Sequence, residues 1–114
     1  MSAPLSPPIS GLTERVQLQR RELTAEAEGG HGEVFVPLAT LWARVTAVGA
    51  RAEQAADGRA VTVSHTVVLR YREDVGPGDR FAWRGRHLRV VSAEDLSGRR
   101  RFLGCRCTQT AVVG

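Results

Sequence analysis

Residues 61–91 read VTVSHTVVLRYREDVGPGDRFAWRGRHLRVV, and this stretch decides the fold because three strand-like patterns in it are separated by two turn signals. Val61, Val63, His65, Val67, Leu69 and Tyr71 occupy alternate positions, so an extended chain places them on one face. Thr62, Ser64, Thr66, Val68, Arg70 and Arg72 share the opposite, mostly wet face. Gly76-Pro77-Gly78 then interrupts any ladder, since proline lacks an amide hydrogen and fixes φ while glycine accepts positive φ. Two short runs, 79–83 and 86–91, flank Arg84-Gly85, where Gly85 supplies the positive φ of a tight hairpin. The expectation is a three-stranded antiparallel meander, the nucleus of a small all-β domain whose open edges need partners.

Upstream, Val16 and Leu18 alternate with Arg15, Gln17 and Gln19, giving a first strand that ends near Leu23. Residues 24–33 are acidic, glycine-rich and aperiodic, hence a surface loop. The apolar run 34–48 contains Pro37, which marks an edge, a bulge or a strand start. Beyond it, Leu41, Ala43, Val45 and Ala47 alternate with Trp42, Arg44 and Thr46, which places a strand at 40–48. Trp42 thus faces away from the aliphatic set, to cover a barrel end or a second small core; left exposed, it would be a contact anchor. Residues 49–60, GARAEQAADGRA, read as a long loop with room for a short helix at 51–56.

Downstream, 92–98 reads as a turn region and 99–111 as the last strand, with Leu103, Cys105 and Cys107 opposite Phe102, Gly104 and Arg106. Gly104 and the small cysteines suggest close backbone approach or a barrel corner. The two thiols, two apart in one strand, are expected to be free. The fold class expected is all-β: a small antiparallel barrel or sandwich of about six strands with long loops. Residues 1–11, with three prolines, form a flexible arm, and 12–114 a single domain.

The order His65, Arg70-Tyr71-Arg72, Gly78-Asp79-Arg80 and Gly85-Arg86 with Leu88 and Val90 resembles the tailed-phage head-tail joining family, whose members are head-closure or stopper proteins. Trp42-Ala43-Arg44-Val45 fits that family's tryptophan-containing strand. The resemblance implies a connector in a phage or phage-derived particle such as a gene transfer agent, assembled in the bacterial cytoplasm. It implies a homo-oligomeric ring between a portal-side adaptor and a tail terminator or other tail-side protein, with packaged double-stranded DNA in its channel. It also implies that the 49–60 loop closes the channel, with Arg51, Glu53, Gln54, Asp57 and Arg59 as its polar groups.

Composition agrees with a globular chain: of 114 residues, 42% are hydrophobic and 25% charged. All sixteen basic residues are arginine and no asparagine occurs, a bias expected of a GC-rich genome. Residues 1–59 carry six arginines against seven acids, whereas 60–114 carry ten against five. Such a bipolar subunit suits a stacked ring. No run of 18 apolar residues suggests a membrane span, and the start MSAPLSPPISG lacks the pattern of a signal peptide.

Chemistry-bearing motifs are sparse. His31, His65, His87, Cys105 and Cys107 lack the paired spacing of a structural zinc site, so neither metal nor cofactor is expected. His65, within an aliphatic face, reads as a core histidine with a backbone partner or as a strand-end residue. The pairs Glu73-Asp74 and Glu94-Asp95 read as solvated, and no nucleophile elbow, P-loop or dinucleotide fingerprint occurs, so no catalytic residue is assigned. Arg80, Arg84, Arg86 and Arg89 with Phe81 and Trp83 form the one candidate basic patch for an interface or for DNA. The same alternation suits Phe81 and Trp83 packing inward, which is the favoured reading, and Arg99-Arg100-Arg101 reads as a solvated turn. A second function class is therefore an OB-like or SH3-like barrel that binds single-stranded nucleic acid or a peptide.

Overall fold

The computed structural model describes residues 11–25, 31–54 and 57–110. Six strands account for most of them: β1 (Glu14–Ala25), β2 (His31–Gln54), β3 (Ala60–Arg70), β4 (Arg80–Trp83), β5 (Arg86–Asp95) and β6 (Phe102–Thr110). They close into one antiparallel barrel in the order β1-β2-β3-β6-β5-β4, with β4 returning to pair with β1. The expected arm at 1–11 lies, apart from Gly11, outside the described residues.

The inward set is the one that alternation dictates, except that Ala47, beside the register shift of β2, is exposed. Val63, His65, Val67 and Leu69 of β3 are buried, as are Val16, Leu18, Ala43, Phe81, Leu88, Val90, Leu103, Cys105 and Cys107 from the other five strands. Val61 and Tyr71 are only half-buried, since they lie at or beyond the barrel ends. Gly104 has the close approach expected of it: a Cβ there would stand 2.6 Å from Leu96 Cδ2. Both cysteines are free and buried.

The meander is not formed. β3 pairs with β2 and β6, whereas β4 pairs with β1 and β5, so only the β4–β5 hairpin of the expected three-stranded unit exists. Closing a barrel gives β3 and β4 other neighbours, and residues 71–79 must instead cross the barrel end. Asp79 fastens that crossing: its carboxylate accepts from the amides of Gly76 at 3.0 Å and Arg21 at 3.1 Å. The Gly76-Pro77-Gly78 turn is present, with Gly78 at φ 95°. In the hairpin, Arg84 and Gly85 both take positive φ, at 49° and 74°, the pattern of a two-residue primed turn.

Both expected loops are in part strand. β2 runs for 24 residues, pairing with β1 from His31 to Ala43 and with β3 from Ala43 to Gln54. In the first, 24–25 and 31–33 belong to a β1–β2 arm whose register reaches Ala25 opposite His31, and 26–30 lie outside the described residues. The 49–60 loop is a second arm in which Arg51, Ala52, Glu53 and Gln54 pair with Val63, Thr62, Val61 and Ala60; residues 51–54 are not helical. Strand is possible because bulges absorb what breaks the pattern. One beside Pro37 shifts the register at Leu18/Gln19, and a larger one between Ala47 and Arg51 uses Gly49 at φ 70°.

The two arms extend the molecule to 58 × 29 × 28 Å. Beyond the closed barrel, residues 20–25 and 51–54 each have only one partner strand, so the arms carry open edges. The turn expected at 92–98 starts later, because β5 continues to Asp95. There the Asp95 carboxylate accepts from the amides of Ser97, Gly98 and Arg100 at 2.8 to 3.3 Å.

Candidate assembly surfaces

The β1–β2 arm is braced by two of the four candidate hairpin arginines. Arg80 and Arg89 stand opposite each other in the β4–β5 ladder, and their guanidinium carbons lie 3.8 and 5.5 Å from the centroid of the Phe35 ring. Arg89 also donates to Glu33 Oε2 at 2.9 Å, with Arg21 on the same oxygen at 3.4 Å, and Arg80 donates to Gln19 Oε1. The Arg89 hydrogen bond, with the charges of Arg89 and Arg21, holds the Glu33 carboxyl below its ordinary range. Burial, then the charge of Arg89, lowers the Arg80 guanidinium. These two arginines are therefore bound into their own chain. The bulge at Leu18/Gln19 turns Gln19 inward to meet Arg80, a consequence of register that no residue pattern announces.

Arg84 and Arg86 occupy the exposed hairpin tip. They lie 5.2 and 5.8 Å from the centroid of the Trp83 ring, and Arg84 pairs with Glu14 at 2.6 Å. Phe81 is fully buried. Trp83 is half-buried against the core: its Nε1–H donates to Glu14 Oε1 at 2.9 Å and its ring meets His65 edge-on at 5.9 Å. The structure thus resolves the two readings of this patch toward packing for both aromatics. His65 is a core histidine, but its partner is the Ser64 hydroxyl, 2.9 Å from Nδ1, and not the backbone.

The five polar residues of the 49–60 segment are brought together on the β2–β3 arm. Arg51, Gln54, Asp57 and Arg59 are exposed and Glu53 is half-buried. Asp57 and Arg59 pair with each other: the Arg59 amide donates to Oδ1 at 3.1 Å and its Nε to Oδ2 at 2.7 Å. The amide bond, foremost, holds Asp57 below the ordinary carboxylate range. Glu53 lies 3.5 Å from Arg106 of β6, which reaches Glu94 on its other side at 3.7 Å. Asp57 and Arg59 also border a cleft of about 540 Å³ whose far wall is Arg21 and Glu33 of the other arm. Of the two acidic pairs expected to be solvated, Asp95 caps a turn and Asp74 forms a two-point bond with Arg72, at 2.7 and 2.8 Å.

Trp42 covers no core. Over half exposed at 54%, it stands on the outer face of β2 with Arg15 4.7 Å above its ring. It lines a groove of about 830 Å³ with Leu12, Leu41, Leu69, Tyr71 and others. Closure of the barrel fills the interior from the alternate positions, which leaves the tryptophan on the wall.

The family model for the phage head completion protein matches residues 7–110. The chain belongs to the phage head completion protein family. It is a phage head-completion structural protein, as the resemblance in residues 42–90 implied. Two solved structures share the fold of this head completion protein. A chain of the virion of a native gene transfer agent particle is 23% identical, with a TM-score of 0.66 over 90% of this chain and 97% of that one. A Shigella flexneri 2a protein, known from a solution structure, is 24% identical, with a TM-score of 0.61 over 87% and 95%. No curated protein matches the head completion protein in sequence. No helix in its described residues is long and apolar enough to cross a membrane.

Proposed function

We propose that this head completion protein is a non-enzymatic connector that forms a ring between the portal-side adaptor and a tail-side protein. The ring retains packaged double-stranded DNA and offers the surface on which the tail docks. The observation that carries this reading is the β2–β3 arm, a two-stranded projection that ends in exposed polar residues. One arm has little to pack against, but ring symmetry brings several to one axis. Arg51 and Arg59 then face DNA phosphates, and repetition around the ring makes the barrier, since each exposed ion pair contributes at most about 1 kcal/mol. The open strand edges of the arms are the natural contacts between copies. Nucleic-acid binding by an isolated barrel is less well supported, because Arg80 and Arg89 are bound to Phe35 and Glu33.

The test joins Gln54 to Ala60 by a two-residue Asn-Gly turn, which removes the arm tip and keeps the ladder. Heads are expected to recruit the trimmed protein but to lose nuclease-protected DNA before tails attach. Full DNA retention by trimmed particles would remove this arm from the closure.

A further inference from the structure

We infer that the groove beside Trp42 is the seat of residues 1–10 of a second copy of this chain. The groove is built from an aromatic wall and an aliphatic floor: Trp42 and Tyr71 with Leu12, Leu41 and Leu69. Arginines 70 and 72 stand at its rim. Trp42 is 54% exposed, an apolar area of the type that marks an interaction site.

Residues 1–10, MSAPLSPPIS, have the matching chemistry. Pro4 and Pro7 stand in the P-x-x-P spacing, Pro8 extends it, and no side chain in the segment carries a charge. Prolines fix φ near the polyproline II value, and aromatic-lined grooves bind that conformation because little entropy remains to be lost. Leu5 and Ile9 add apolar side chains for the floor.

A second copy is favoured over the chain's own segment by the position of Gly11. Leu12 borders the groove, Thr13 lines both it and the adjacent hollow, and Gly11 borders the hollow alone, with Glu14, Arg44, Trp83 and Arg84. Residues 1–10 thus attach at a residue that borders the hollow and not the groove. Ten residues in polyproline II span about 31 Å, against 29 and 28 Å for the two shorter extents of the molecule. That length reaches the next subunit. The inference rests on the ring reading for the identity of the occupant alone.

The test places benzoylphenylalanine at Leu5 of the full chain, mixes ¹⁵N-labelled with unlabelled protein, irradiates, and maps cross-links by mass spectrometry. Mixed-isotope products joining the N-terminal peptide to residues 40–42 or 69–72 are expected. Trp42→Ala should lower their yield roughly tenfold or more, the loss expected of an interface tryptophan. Single-isotope products with no mixed ones, products mapping elsewhere, absence of products, or capture of a different virion protein in assembled particles would each overturn the inference. If the photoprobe fails in any of these ways while particles still incorporate the protein and hold DNA, the ring reading survives without this arm. Cross-linking between copies with no effect of the protein on particles would separate the two in the other direction.

Discussion

Leu96 fills the space that a side chain on Gly104 would need: a Cβ built there lies 2.6 Å from Leu96 Cδ2 and 3.0 Å from its Cγ. Leu96 is held in place by its amide, which donates to Phe102 O at 3.0 Å, so the β5–β6 turn folds back onto the strand that follows it. Gly104→Ala is expected to destabilise by about 1–3 kcal/mol through overpacking. Leu96→Ala in the same chain should recover part of that loss. Urea unfolding of the single and double variants measures both, and additive losses would mean that the two residues do not share this space.

Trp42→Ala should leave the fold almost intact. Its ring is exposed and its one specific contact is the Arg15 guanidinium, so the loss should stay below about 1 kcal/mol. A buried tryptophan would cost about 3–5 kcal/mol. Melting temperature together with particle incorporation tests this, with only incorporation expected to fall.

Phe35→Ala should loosen the β1–β2 arm and not the barrel. The ring is held between Arg80 and Arg89, and two such contacts contribute about 1–2 kcal/mol together. Amide exchange should accelerate at 20–25 and 31–36 while the slowest amides of β3 and β6 keep their rates. Uniform acceleration across the barrel would show that Phe35 belongs to the global fold.

Stability should fall as pH drops through the histidine range. Burial, then the charge of Arg86, lowers the pKa of His65 from 6.5; burial, then the charge of Arg80, lowers that of His87. The unfolded chain then binds more protons than the folded one as pH falls below 6.5, so protonation favours unfolding. Glu33 and Asp74, whose pKa values are lowered from 4.5 and 3.8, lose their contributions only at more acid pH. The interval from about 6.5 down to about 5 therefore belongs to the histidines. His65→Gln should flatten the denaturation midpoint against pH in that interval, and an unchanged slope would assign the loss to other groups.

The thiols should stay silent until the barrel opens. Burial pushes Cys105 up to about 12 and Cys107 well above its ordinary value, and the reactive species is the thiolate. At pH 8 a maleimide should label neither cysteine in the native protein and both in denaturant. Rapid native labelling would place β6 at an opening edge.

What the sequence determined by itself is local. Alternation at 61–69 and 103–107 assigned the inward faces correctly, because side-chain direction in a strand depends only on parity. Arg84-Gly85 specified its hairpin and Gly104 its close contact, because backbone conformation and the absence of a Cβ are properties of single residues. The residues of the β2–β3 arm were likewise legible as a polar segment, though not as strand. Pairing was decided only by the tertiary structure. Barrel closure placed β6, and not β4, beside β3, and bulges at Leu18/Gln19 and Ala47/Arg51 carried one strand through segments that read as loops. The Phe35 brace and the exposed face of Trp42 follow from that closure. Each depends on which distant strand lies across the ladder, and hydrogen bonding between backbones is nearly blind to the side chains that would identify the partner.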